Sequence, residues 1–168
     1  MTLMEELSAD GPRPGHEKAM DLYGRLTGTW DVTNRYRGPG GDWVTGTVVW
    51  TFGWVLAGHA VQDVMWFTEF GPGGYPVRTT GSTMRLYDPE SDRWHVVWFS
   101  PAGRTVTLVG HAGEDGDIVQ EGLRLDGTAV RWLFTEVSES RFRWLGYFST
   151  DEGGSWELEQ EMLAQRRP

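Results

Sequence analysis

The chain has 168 residues, and 15 Lys and Arg stand against 24 Asp and Glu, so its formal net charge is −9. A negative chain is not attracted to phosphate backbones or to anionic lipid, so we expect neither nucleic acid nor a membrane as a partner. Cysteine is absent, which excludes disulfides and thiolate metal sites. The ten Trp, seven Phe and five Tyr, punctuated by 23 Gly and eight Pro, are typical of an all-β protein with many turns.

The first 15 residues, MTLMEELSADGPRPG, contain acidic side chains and no apolar core of signal-peptide length. We expect residues 1–15 to form a flexible segment and residues 16–168 to form a single domain. No stretch approaches 18 apolar residues, so the sequence favours a soluble, cytoplasmic protein. Apolar residues at helical spacing in HEKAMDLYGRL predict one short helix over His16–Leu26.

After this helix the chain alternates between apolar and polar residues, which is the pattern of β-strands. The ten predicted strands cover 28–37, 44–56, 59–69, 77–87, 93–100, 104–112, 117–125, 128–137, 141–149 and 155–166. Short turns such as GPGGD at 38–42 and GPGGYP at 71–76 join them, so neighbouring strands should be antiparallel. The expected fold is all-β: an antiparallel up-and-down barrel of about ten strands, which leaves no long edge exposed.

Alternation also predicts which side chains point into the barrel. In SWELEQEM the three glutamates share one face and should meet water, whereas the inner face receives Trp156, Leu158, Gln160 and Met162. By the same parity the interior receives several tryptophans and a few polar side chains: Trp94, Trp98, Trp132, Trp144, Asn34, Tyr36 and Gln62.

The stretch STDEGGSW at 149–156 has the spacing of an Asp-box, a motif that recurs in the propeller blades of sialidases. One copy between two alternating strands predicts a hairpin in which the Asp151 carboxylate accepts backbone N–H groups, not a fragment of a carbohydrate enzyme. No GxSxG, GxGxxG or GxxxxGK[ST] motif is present, so the common hydrolase, dinucleotide and P-loop sites are not supported.

Gly28-x-Trp30 opens the first predicted strand, and Arg166 and Arg167 end the last one. This arrangement resembles the calycin superfamily of lipocalin-like barrels, and the resemblance implies that Trp30 closes the barrel floor beneath one of the two arginines. Segments between 28 and 167, among them LTGTW, VLAGHAVQD and MRLYDPESDRWHVVWFS, further resemble an uncharacterised bacterial family of calycin-like barrels, a domain of unknown function. That resemblance implies the fold and supplies no catalytic residues. The segment GTWDVTNRY lacks the repeated glycines of haem-binding nitrobindin-type barrels, so we predict no haem and no other cofactor.

A ten-stranded barrel has room for a small ligand unless large side chains fill it. The first hypothesis is therefore a protein that binds a small apolar or aromatic molecule through Asn34, Tyr36, Gln62, Trp98, Trp132, Trp144 and Gln160. The alternative is a cofactor-independent enzyme of small-molecule (secondary) metabolism, such as an isomerase, cyclase or decarboxylase. Its acid–base candidates are His59, His111, Glu136 and Tyr36.

The third hypothesis is a filled barrel with a structural role, and association into a homodimer is left open. The histidines show no HxH or HExxH spacing, so we predict no metal site.

Overall fold

The structure is a computed structural model that describes residues 1–67 and 79–168. The predicted turn at 71–76 and the adjoining ends of two predicted strands lie outside the described residues. The chain begins with helix α1 (Leu3–Leu7) and strand β1 (Ser8–Ala9), followed by helix α2 (Glu17–Gly24). The sequence predicted the helix near α2 and no element before it. Helix α1 was missed because it buries no residue and so leaves no apolar pattern.

Ten strands follow α2, and each corresponds to a predicted strand. They are β2 (Gly28–Arg37), β3 (Trp43–Val55), β4 (Ala60–Phe67), β5 (Thr79–Asp88), β6 (Arg93–Phe99), β7 (Thr105–Ala112), β8 (Ile118–Arg124), β9 (Ala129–Thr135), β10 (Arg141–Ser149) and β11 (Glu157–Arg166). Each pairs antiparallel with its neighbours in the chain, and β11 pairs with β2, so the sheet closes. The predicted all-β up-and-down barrel is confirmed.

Helix α2 and the residues after it close one end of the barrel. Met20, Tyr23 and Leu26 are at most 1% exposed and belong to the same core as Trp30 and Trp94. The Tyr23 ring meets the Trp94 ring edge-on, with 4.7 Å between the ring centroids. Full burial of an apolar side chain stabilises a fold by about 1.5–3 kcal/mol, so α2 is fixed by its packing and not by its helix propensity.

The predicted contact between Trp30 and a late arginine is confirmed. The guanidinium carbon of Arg166 lies 4.1 Å from the centroid of the Trp30 ring. The same guanidinium donates hydrogen bonds to the backbone carbonyls of Arg25 and Thr27. Arg166 therefore fastens the last strand to the segment that joins α2 to the first barrel strand, while Arg167 forms a surface ion pair.

A β-bulge in β11 corrects part of the predicted alternation. The register with β10 shifts between Gly146 and Tyr147, which leaves Glu159 as an extra residue. Glu159 forms an ion pair with Arg124, which occupies an inward-facing position at the end of β8. The prediction that all three glutamates of SWELEQEM face water is therefore wrong for Glu159.

The parities predicted for three other residues are also wrong. Leu158 faces outward, because beyond the bulge it pairs with Tyr147, an outward-facing residue of β10. Strand β11 begins after Trp156, which lies in the preceding turn, 4.3 Å from the guanidinium of Arg131 on the outer surface. Gln62 faces outward, because its neighbour Asp63 is the residue that points into the barrel and is 3% exposed. The Gln62 amide instead donates a hydrogen bond to the Ser82 hydroxyl.

Candidate functional site

Inward-facing side chains at the barrel end opposite α2 are only half-buried. Tyr36, Trp98, Trp132 and Gln160 all point inward by their strand register, yet solvent reaches part of each. The closed half of the barrel, in contrast, is packed with fully buried aromatic rings. We call the open half of the interior the chamber.

Three indoles form a continuous aromatic surface on one side of the chamber. The ring centroids of Trp98 and Trp132 are 6.2 Å apart, and those of Trp132 and Trp144 are 5.5 Å apart. Trp98 belongs to β6 and Trp132 to β9, so their rings meet in front of β7 and β8. The inward positions there are small, since Val106 faces Trp98 and Gly122 lies beside Trp132.

Glycines let two of these indoles lie against the barrel wall. A Cβ placed on Gly81 would be 2.5 Å from Nε1 of Trp98, and a Cβ placed on Gly146 would be 2.6 Å from Cη2 of Trp144. Real Cβ atoms do not approach other atoms so closely, so both positions require glycine. The indoles of Trp98 and Trp144 therefore lie against the wall.

Gly46 marks unfilled space on the side of the chamber that β2 and β3 form. It pairs with Asn34, and both residues face inward. Among the described residues, no atom other than those of its chain neighbours lies within 4 Å of a Cβ built on Gly46. The backbone φ of Gly46 is not positive, so a larger side chain is compatible with its conformation. As far as residues 1–67 and 79–168 show, the chamber is thus open at this position.

Two amide side chains supply polar groups inside the chamber. Nε2 of Gln160 donates a 2.9 Å hydrogen bond to Oδ1 of Asn34, which is 6% exposed. This bond leaves the Asn34 amide N–H groups and the Gln160 carbonyl oxygen as a donor and an acceptor side by side. Tyr36 follows on the same face of β2 and adds a phenolic hydroxyl. The inward parity predicted for these three residues is confirmed.

An ion pair lies at the rim of the chamber. Arg124 and Glu159 contact each other, and their side chains are 34% and 25% exposed. The Arg124 guanidinium also lies 6.0 Å from the ring centroid of Phe148. Because the two charges cancel, this pair adds no net charge to the rim.

A second polar cluster, which the sequence analysis missed, is sealed inside the packed half of the barrel. Arg85 and Asp63 form an ion pair of 2.6 Å, and each side chain is 2% exposed. Oε1 of Gln120 accepts hydrogen bonds from Nε of Arg85 and from the Tyr23 hydroxyl. Burial raises the pKa of Tyr23, which keeps that hydroxyl protonated as a donor. The signal in the sequence was a charged residue, Arg85, at an inward position of a strand.

The four acid–base candidates do not converge. Tyr36 alone faces the chamber. His59 is exposed in the turn between β3 and β4, and Glu136 is exposed just after β9. His111 lies on the outer surface of β7, 4.0 Å from the carboxylate of Glu121.

His111 also lines a groove of about 700 Å³ outside the barrel, between α2 and the loops that follow β5 and β7. Charged side chains of both signs line this groove, among them Lys18, Asp21, Arg93 and Asp117. In residues 1–67 and 79–168, no three His, Asp or Glu side chains are placed to hold a metal ion. No helix in these two ranges is both long enough and apolar enough to cross a bilayer.

The barrel is similar to those of solved structures with very different sequences. One is the S-type phycobiliprotein lyase CPES from Guillardia theta, with a TM-score of 0.62 and 10% identity over 88% of this chain and 92% of that chain. A second is Rv2717c from M. tuberculosis, with a TM-score of 0.59 and 13% identity over 90% of this chain and 98% of that chain. No protein-family model and no curated protein matches the sequence. At these identities the likeness shows the fold alone, a closed antiparallel β-barrel.

Proposed function

We propose that the protein binds a small, uncharged, apolar or aromatic molecule in the chamber. The observation that carries this proposal is the open space at Gly46, which lies in the same open half of the barrel as the surface of Trp98, Trp132 and Trp144. Aromatic walls with a few placed polar groups are the usual composition of small-molecule sites. We also propose that the chain belongs to the uncharacterised bacterial family of calycin-like barrels that its sequence resembles.

The charges of the chamber favour an uncharged ligand. The rim pair of Arg124 and Glu159 is internally neutralised, and the inner groups named above are indoles, amides and a phenol. A charged ligand would lose its hydration without gaining an unpaired counter-charge, which is costly. A neutral aromatic ring loses little hydration free energy and gains contact with the indoles.

The amide pair gives the ligand an orientation. Within the described part of the chain, the amide N–H groups of Asn34 and the carbonyl oxygen of Gln160 have no partner, so they suit a molecule whose edge carries both an acceptor and a donor, such as a lactam or a hydroxyl-bearing carbonyl compound. We therefore expect rings with such an edge to bind more tightly than hydrocarbons of the same size.

The enzyme alternative retains one acid–base candidate in the chamber, Tyr36. The other three acid–base candidates lie outside the chamber, so they cannot assist the Tyr36 phenol in a proton transfer. Binding without conversion is therefore the function that we favour. If a bound compound were converted, Tyr36→Phe should abolish conversion and retain binding.

The test is to fill the open space. A panel of neutral aromatic compounds is titrated while tryptophan emission is followed, since a ligand beside the indoles changes their surroundings. Gly46→Phe should weaken the affinity for any compound that binds at least about tenfold, because the new ring occupies the ligand's space. The matched control is Gly53→Phe: Gly53 belongs to the same strand, faces outward and likewise has room for a Cβ among the described residues.

Binding to the parent protein and to Gly53→Phe, but not to Gly46→Phe, supports the chamber as the site. Equal affinities of a compound for all three proteins would contradict the proposal. A panel in which no compound gives a saturable change in tryptophan emission would also contradict it. Thermal unfolding of both variants shows whether a loss of binding reflects a filled chamber or a damaged fold.

A further inference from the structure

The outer surface of β4–β8 has two central rows of side chains that carry no charge. The first row runs across four strands through Val64, Ser82, Phe99 and Thr105, which are paired in register. Val64 is 37% exposed and Phe99 is 55% exposed. These residues face outward because the alternate residues of the same strands, such as Trp98, point into the barrel.

The second row lies one pair of residues further along the strands and crosses five of them. It consists of Gln62, Met84, Val97, Thr107 and Leu123. Leu123 is 57% exposed, although leucine is normally buried. Within the described part of the chain, these two rows therefore form a surface without a charged side chain, which we call the uncharged face.

A third row of outward-facing residues adjoins the second row and forms part of a polar rim around this face. Leu86 and Val109 are exposed by 39% and 46%, and they continue the apolar surface. His95 lies between them in the register, and Glu121 ends the row. A centre depleted of charged side chains inside a polar rim is typical of protein–protein interfaces.

The opposite wall of the barrel has a different outer surface. Arg143 lies 2.5 Å from Glu161, and Arg35 lies 3.5 Å from the same carboxylate, so charges cover β10, β11 and β2. Leu163 is exposed by 52% in this charged surface, paired in register with Arg143 and Thr33. Exposed leucine therefore occurs on both walls, but Leu163 lies beside the charged Arg143, whereas Leu123 pairs with the uncharged Thr107.

The uncharged face is large enough to form the centre of an interface. With strands about 4.8 Å apart and rows about 7 Å apart, the two rows of the uncharged face cover about 300 Å². Each partner of a standard protein–protein interface buries about 800 Å². The face supplies a little more than a third of that area, and the rim supplies the remainder.

We propose that two copies of this chain associate through the uncharged face. The net charge of −9 makes the rest of the surface repel a second copy. A two-fold axis brings the same patch of each copy together, and a patch without charges can meet itself without like-charge repulsion. The occupant of the face is therefore a second copy of the chain.

The test is the mass of the full chain in sedimentation velocity over a series of concentrations. The parent protein should be a dimer that dissociates on dilution. Leu123→Glu should raise the dimer dissociation constant at least about tenfold, because two carboxylates are then buried near the two-fold axis. Phe99→Glu, in the first row, should act in the same way.

Leu163→Glu is the matched control. It makes the same substitution at a leucine of similar exposure, 52% against 57%, and adds the same negative charge. It should leave the dimer unchanged, and thermal unfolding should show both variants folded. A parent protein that is monomeric at every concentration would overturn the proposal and leave the face to a different protein. Equal weakening by Leu123→Glu and Leu163→Glu would also overturn it.

Discussion

Asp151 is held by the turn that it builds. Its Oδ1 accepts hydrogen bonds from the Ser155 backbone N–H at 2.8 Å and from the Ser149 hydroxyl at 2.7 Å. Its Oδ2 accepts a third from the Ser155 hydroxyl. These donors lower the pKa of Asp151 to about 2. The interpretation of the Asp-box sequence as a hairpin cap is confirmed.

The pH dependence of this cap has a defined sign. The pKa of about 2 in the folded protein lies below the ordinary value of 3.8, so between these values the unfolded chain binds more protons. The stabilisation is present above about pH 4 and is lost as the pH falls toward 2. We predict that Asp151→Ala lowers the melting temperature by about 2–4 °C at neutral pH and that this difference vanishes near pH 2.

The control for Asp151→Ala is Asp10→Ala, which removes an exposed carboxylate from the amino-terminal segment and should leave the melting temperature unchanged. Ligand affinity should survive both changes. A folded Asp151→Ala protein of normal melting temperature that no longer binds ligand would show that the turn is a site.

The buried ion pair of Asp63 and Arg85 gives a prediction about the free energy of unfolding. Arg85→Met leaves the Asp63 carboxylate buried without its cation, which should cost about 3–5 kcal/mol of unfolding free energy. The double variant Asp63→Leu, Arg85→Met removes both charges and should cost less than Arg85→Met alone. Urea unfolding measures all of these free energies. The double variant should lose less unfolding free energy than Asp63→Leu and Arg85→Met lose together. A loss equal to that sum would contradict a tight coupling between the two charges.

The barrel strands could be predicted because each buries one face along most of its length, so period two persists in the sequence. The bulge at Glu159 could not, since Trp156, Leu158 and Gln160 continue the apparent alternation through it. Only the register with β10 reveals the extra residue. The parity of Gln62 was misjudged for a related reason: β4 begins with Ala60, and a strand shows its inner face only when its partners are known.

The open space in the chamber could not be predicted at all. Gly81 and Gly146 face inward beneath indoles, whereas Gly46 faces inward toward nothing described within 4 Å. A glycine in a strand looks the same in the sequence in either case. The indoles of Trp98 and Trp144 were placed inside by alternation, but their reach along the wall depends on Gly81 in the neighbouring strand and on Gly146, two residues further along the same strand as Trp144. Their role in ligand binding stays a prediction.

At the scale of the whole molecule, the same strands serve both proposed surfaces. Trp98 faces the chamber, while the next residue, Phe99, lies on the uncharged face. In the same way Arg124 faces inward and its neighbour Leu123 lies on the uncharged face. Because a β-strand separates adjacent side chains onto opposite sides of the sheet, the two surfaces can be altered independently. Leu123→Glu should therefore change the mass of the assembly and leave ligand affinity unchanged.

The seam between β11 and β2 has a consequence for folding kinetics. Every other barrel pairing joins strands adjacent in the chain, whereas the seam joins residues as distant as Asp31 and Arg167, which are 136 positions apart. Closing so long a loop costs entropy before its contacts form, so we expect hairpins to assemble first and the seam last. Arg166→Lys weakens the seam and should raise the unfolding rate in stopped-flow measurements while hardly changing the folding rate.

If Arg166→Lys lowered the folding rate by the same factor as the equilibrium constant for folding, the seam would already be formed in the transition state. If the seam does form last, the contact between the Arg166 guanidinium and the Trp30 ring controls the unfolding rate of the barrel. It sets how long a closed barrel stays closed and has little influence on how quickly the chain finds its shape.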